Sequence, residues 1–172
     1  MSNFDEILPI TLKHEGGFVN HPRDPGGMTN LGVTKATWEK WTGEPASEAE
    51  MRALTVMDVA PLYRERYWKP VAGDSLPKAF ALCVFDFGVN SEPARAAKYL
   101  QQLVGVKQDG QIGPKTLAAL QQYVTSRGAL QSIENYNDLR RGFLRNLNTY
   151  SVFGRGWMRR IAAVEDQAEK WL

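Results

Sequence analysis

Strand-forming potential in this chain is confined to residues 18 to 33, and nearly everything outside that stretch follows helical spacing. The fold must therefore be built by packing helices, with room for one small hairpin. Phe4, Ile7, Leu8 and Thr11 or Leu12 predict a helix over about 3 to 15, kinked if Pro9 interrupts its ladder. Gly16 and Gly17 supply the backbone freedom to end it, which places Glu15 at or near the helix C-terminus. Phe18 and Val19, then Leu31 and Val33, flank the turn chemistry of HPRDPGG and predict the hairpin.

Helix signals then recur along the chain. Thr34 is an N-cap for TKATWEKW, which Gly43 stops; Ser47 with Glu50 forms a capping-box pattern, and Thr55 with Asp58 opens TVMDVAPLYRERYW. Further helices are expected at about 78 to 90, 93 to 104 and 114 to 126, then at 130 to 150 and 157 to 171 with VFGRG between them. GVNSEP, residues 88 to 93, is the expected seam between two packed lobes of a single domain, which suits a length of 172 residues. The expected class is mainly α, a helical lobe plus a small β-hairpin lobe with a cleft between them.

Composition excludes several functions. No segment approaches ~18 uninterrupted apolar residues, so no stable membrane insertion is expected. A net charge of +2 suits weak attraction to an anionic polymer and is too slight to argue for nucleic acid. Cys83, the only cysteine, lies in the apolar run AFALCVF and reads as a buried thiol. His14 and His21, with Cys83, fit no zinc-ligand spacing, and the loop from Asp109 to Pro114 lacks the Gly-Lys-Ser ending of a phosphate loop; neither metal nor cofactor is expected. The opening MSNFDEILPITLKHEGG carries Asp5 and Glu6 before any basic residue and has no cleavable apolar stretch, so a chain made in the cytoplasm without a signal peptide is expected. Arg140, Arg141, Arg145, Arg155, Arg159 and Arg160 make the last third basic, either as a solvated helix surface or as a face for anionic wall polymers or membrane phosphates.

The stretch KHEGGFVNHPRDPGGMTNLGVT concentrates the residues that could carry chemistry. Glycoside hydrolysis needs a proton donor for the leaving oxygen and usually a second carboxylate that positions a water or attacks directly. Glu15, held at a helix end beside a hairpin, suits the acid; Asp24, in a polar turn beside Arg23, suits the ionised role, with Thr29 a hydrogen-bonding partner for the water or for Asp24. Solvated turn residues and helix caps are the alternative for such a pair. Asn30 and Asn90 read equally as donors to a glycan and as turn or capping residues. Tyr67 and Trp68 read as stacking platforms for sugar faces or as core. Asp86, on an otherwise apolar helix, either faces the cleft or pairs with an arginine such as Arg64.

The string EGGFVNHPRDPGGMTNLGVT resembles the opening signature of the family 108 glycoside hydrolases, N-acetylmuramidases found as phage endolysins and secretion-associated lysozymes. The resemblance continues through LYRERYWKP, FDFGVNSEP, DGQIGPKTLAAL and FGRGWMRRI, and so covers nearly the whole chain. It implies a lysozyme-like domain over 1–172, with a muramidase segment at 6–90 and a peptidoglycan-binding helical part at 91–165, to which 109–120 belongs. It implies Glu15 as catalytic acid and hydrolysis, without a cofactor, of the β-1,4 bond between N-acetylmuramic acid and N-acetylglucosamine. The partner would be the glycan strands of bacterial peptidoglycan, reached by a monomer through holin-dependent release to the wall or periplasm. Glu15, Asp24 and Thr29 are also similar to the Glu, Asp, Thr triad of tailed-phage lysozymes, although the gap from Asp24 to Thr29 is one residue shorter. That likeness implies inversion, with carboxyls ~6.5 to 9.5 Å apart. A lytic transglycosylase and a non-catalytic wall-binding module are the alternatives.

Overall fold

The computed structural model describes residues 2–20 and 27–172. Contacts divide the chain into two compact units, Met1–Glu65 and Arg66–Leu172. The seam expected at residues 88 to 93 thus falls inside the second unit.

In the first unit, helix α1 (Asn3–Leu12) begins with a capping box: the Ser2 hydroxyl accepts from the Asp5 amide, and the Asp5 carboxylate accepts from the Ser2 amide at 2.9 Å. Phe4, Ile7, Leu8, Thr11 and Leu12 are buried, as the spacing predicts. The helix stops at Leu12, three residues earlier than expected. Its ladder then tightens into a turn in which the His14 amide donates to Thr11 O and the Glu15 amide to Leu12 O, before Gly16 turns left-handed at φ 82°. Strands β1 (Thr29–Asn30) and β2 (Val33–Thr34) pair antiparallel, Thr29 opposite Thr34 and Asn30 opposite Val33. Val19 bridges to Thr29 on the other side, with amide-to-carbonyl distances of 2.8 and 2.9 Å.

Thr34 caps α2 (Lys35–Thr42), Ser47 and Glu50 box α3 (Glu48–Ala53), and Thr55 and Asp58 box α4 (Val56–Tyr63). The helix expected to continue through RERYW changes pitch instead, and Arg64–Trp68 forms a π-helical turn. Within the unit, α1 packs on α4 and β1 on α3.

The second unit is helical throughout: a 3-10 turn at Gly73–Ser75, then α5 (Lys78–Ser91), α6 (Pro93–Val104), α7 (Pro114–Arg127), α8 (Ala129–Arg145) and α9 (Tyr150–Glu169). Helix α5 is apolar on every face and is correspondingly the central one. Ala79 through Gly88 are all buried, with α6, α8 and α9 packed around them. Phe87 gathers Tyr99, Tyr136 and Phe143 at ring-centroid distances of 5.6, 6.3 and 5.8 Å. VFGRG does not separate two helices. It lies within α9, where Gly154 leaves space for the Tyr150 ring, and the break falls earlier, after Arg145. Among the described residues no helix is long and apolar enough to cross a membrane.

Asp86 does not take Arg64. Its carboxylate receives Nε and Nη2 of Arg160, the latter at 2.8 Å, and lies 2.8 Å from Nη2 of Arg140 in an ion contact without hydrogen-bond alignment. Two of the six arginines expected on the surface are therefore core residues. Arg64 instead lies 3.8 Å from Asp5 and over the Phe4 ring. The loop between α6 and α7 is fixed by one buried side chain: the Gln101 amide nitrogen donates to Asp109 Oδ1, Gln111 O and Thr116 Oγ1, and its oxygen accepts from the Gly110 amide.

Candidate active site

Glu15 sits half-buried in the turn that follows α1, with its backbone tied to Leu12. What it faces is the tip of the hairpin. A two-residue turn, Leu31–Gly32, joins β1 to β2, and both residues have positive φ, 49° and 74°. That sign at both central positions is the demand of a type I′ hairpin turn, which matches the right-handed twist of the strands. A Cβ on Gly32 would stand 3.0 Å from Glu15 Oε2, 3.1 Å from Glu15 Cβ and 2.6 Å from the Tyr63 hydroxyl oxygen. Only glycine lets the carboxyl and the turn lie this close.

Thr29 lies on β1 of the same hairpin, so the structure brings it and Glu15 to one small assembly within the first unit. Asp24, like His21, falls outside the described residues. Asn30 is not available to a sugar. It is 5% exposed, and its amide nitrogen donates to Met51 O, Arg52 O and Leu54 O, which ties the hairpin to the end of α3.

In the second unit Tyr67 and Asn90 line one cavity of ≈ 410 Å³, together with Glu92, Arg95, Phe143 and Trp157. The Arg95 guanidinium lies 4.7 Å over the Phe143 ring and donates to Ser91 O, and Trp157 extends outward as a tilted pair with the exposed Phe153. Glu92, between α5 and α6, is held at φ 84° and ψ 135°, a backbone region that disfavours any residue but glycine. Trp68 does not join this wall. It is 0% exposed, stands edge-on to Phe85 at 5.4 Å, and donates its indole N–H to Asp74 at 2.9 Å, so it offers no face to a ligand.

Sequence reasoning missed Leu31, Gly32 and Tyr63. The signal was a two-residue gap between TN and VT, but a leucine in place of the usual asparagine or glycine hid the turn type.

The family model described as glycosyl hydrolase 108 matches residues 8–91, and the one described as "Predicted Peptidoglycan domain" matches residues 95–162. The solved structure of Brucella abortus SagA is 45% identical, with a TM-score of 0.80 over 98% of this chain and 94% of that one. No curated protein sequence matches. These matches make the chain a glycoside hydrolase of lysozyme-like fold whose partner is peptidoglycan. The chain belongs to the glycosyl hydrolase 108 family.

Proposed function

We propose that the chain is a muramidase that hydrolyses the β-1,4 bond between N-acetylmuramic acid and N-acetylglucosamine. Glu15 protonates the leaving oxygen, while Asp24, helped by Thr29, orients or deprotonates the attacking water. The observation that carries this reading is the placement of the Glu15 carboxyl, half-buried and pressed on the glycine of a hairpin turn, where a proton donor is held in one position at the edge of solvent. Tyr67 and Asn90 contact the sugars: an aromatic face and an amide on one cavity wall are the lining a pyranose with an N-acetyl group requires.

Resemblance to phage endolysins supports a biological setting in which a monomer is made in the bacterial cytoplasm and reaches the wall through a holin. Digestion of purified peptidoglycan tests the chemistry. The expected products carry the added mass of water with one anomer formed first, and E15Q should lose at least a hundredfold in kcat. Anhydro-sugar products would make the chain a lytic transglycosylase. Full activity of E15Q would remove Glu15 as the acid, and wall binding by the wild-type chain with no products released would leave only a wall-binding role.

A further inference from the structure

The hairpin turn beside Glu15 is held in an unfavourable shape. Leu31 has φ 49°, a region unfavourable for a bulky side chain, and it persists only where surrounding contacts over-determine it. Two contacts do so. Asn30, the residue before, is anchored to carbonyls at the C-terminal end of α3, and the carbonyl of Leu31 itself accepts a hydrogen bond of 2.8 Å from the hydroxyl of Tyr63. Tyr63 is the last residue of α4 and 2% exposed, so its ring cannot drift and its hydroxyl is aimed by the helix.

The same hydroxyl approaches Gly32 on the side where Glu15 lies, since a Cβ on that glycine would meet both groups. Tyr63, the Leu31–Gly32 turn and Glu15 therefore form one packed stack. The carboxyl rests on the turn, and the turn rests on the hydroxyl.

We propose that Tyr63 is a positioning residue for Glu15, acting through the Leu31–Gly32 turn. This rests on reading Glu15 as the proton donor. When the hydroxyl is removed, Leu31 loses the bond that holds its carbonyl and the turn relaxes toward ordinary backbone angles. The surface that fixes the carboxyl then moves by a fraction of an ångström. Substrate binding by the rest of the chain is untouched, so the loss falls on kcat and not on KM.

The test uses the full chain on soluble peptidoglycan fragments, at a temperature where circular dichroism reports every variant folded. Y63F should lower kcat by ten- to hundredfold with KM within twofold of wild type. Replacing Tyr63 by 4-aminophenylalanine, which restores a donor at the same ring position, should recover most of that loss. A Y63F kcat within twofold of wild type overturns the proposal. So does a rise in KM that accounts for the whole defect, which makes the hydroxyl a substrate-binding group, or a defect the amino analogue leaves unchanged, which a restored donor to Leu31 O would have repaired. E15Q, measured alongside, separates the two ideas: an active E15Q defeats the reading of Glu15 as the acid, whereas an inactive E15Q with an unimpaired Y63F defeats only the positioning role.

Discussion

Asp86 and Arg140 meet at 2.8 Å with both side chains wholly shielded from water, and Arg160 closes on the same carboxylate from α9. Burial by itself would raise the proton affinity of this carboxyl, but the guanidinium groups of Arg140 and Arg160 outweigh it and hold the pKa below its ordinary value of 3.8. A carboxyl depressed in the folded state contributes stability that is fully present above 3.8 and is lost as the pH falls through the lower folded value. D86N leaves two cations in the core without their counter-charge and should cost ~3–5 kcal/mol at neutral pH. Urea titration checks this, and the gap between D86N and wild type should narrow only below about pH 4.

Asn30 and Asn90, equal candidates by sequence, should separate in the laboratory. N30A strands the carbonyls of Met51, Arg52 and Leu54 and should lower stability by ~1–3 kcal/mol, with KM of the folded protein unchanged. N90A removes an amide from the cavity wall and should raise KM severalfold with little change in the unfolding midpoint. Steady-state kinetics and thermal melts on both variants decide it, and exchanged phenotypes would refute the assignment.

The Cys83 thiol is pushed up to about 12, chiefly by burial, and its sulfur lies 3.6 Å from the Asn137 amide nitrogen. It should resist an aromatic disulfide reagent at pH 8 on the native chain and react at the rate of global unfolding. Rapid native labelling would show that α5 opens locally.

Cutting the chain at Ser91, the end of the hydrolase match, should leave no folded hydrolase. Helix α5 would lose α6, α8 and α9, baring Phe80, Leu82, Phe85 and Phe87 at ~1.5–3 kcal/mol each, with Asp86 deprived of both arginines. Amide dispersion in a proton–nitrogen spectrum is the readout, and a well-dispersed spectrum from residues 1–91 would contradict it.

Features written in local chemistry were legible in advance. The three capping patterns at Ser47, Thr55 and Thr34 and the early Pro93 each predicted a helix start that the structure has. The buried apolar run around Cys83 was equally plain. What periodicity cannot carry is partnership at long range. That Asp86 takes Arg140 and Arg160, 54 and 74 positions onward, depends on helix packing alone. Tyr67 and Trp68 read alike in the sequence, as stacking platforms or as core, whereas the structure puts Tyr67 on a cavity wall and Trp68 wholly in the core. Glu15 was found by motif, but the turn it leans on was hidden by Leu31, a residue whose conformation only tertiary contacts sustain.

Gln101 gives the segment DGQIG a different meaning from the one its glycines suggest. Three polar groups of that connection and the Thr116 hydroxyl of α7 are bonded to a single amide, so the stretch is a keystone wedged between two helices. Lengthening it by even one residue would pull the wedge out of register. Swapping it for a homologous segment would succeed only if a glutamine travels with it on the preceding helix.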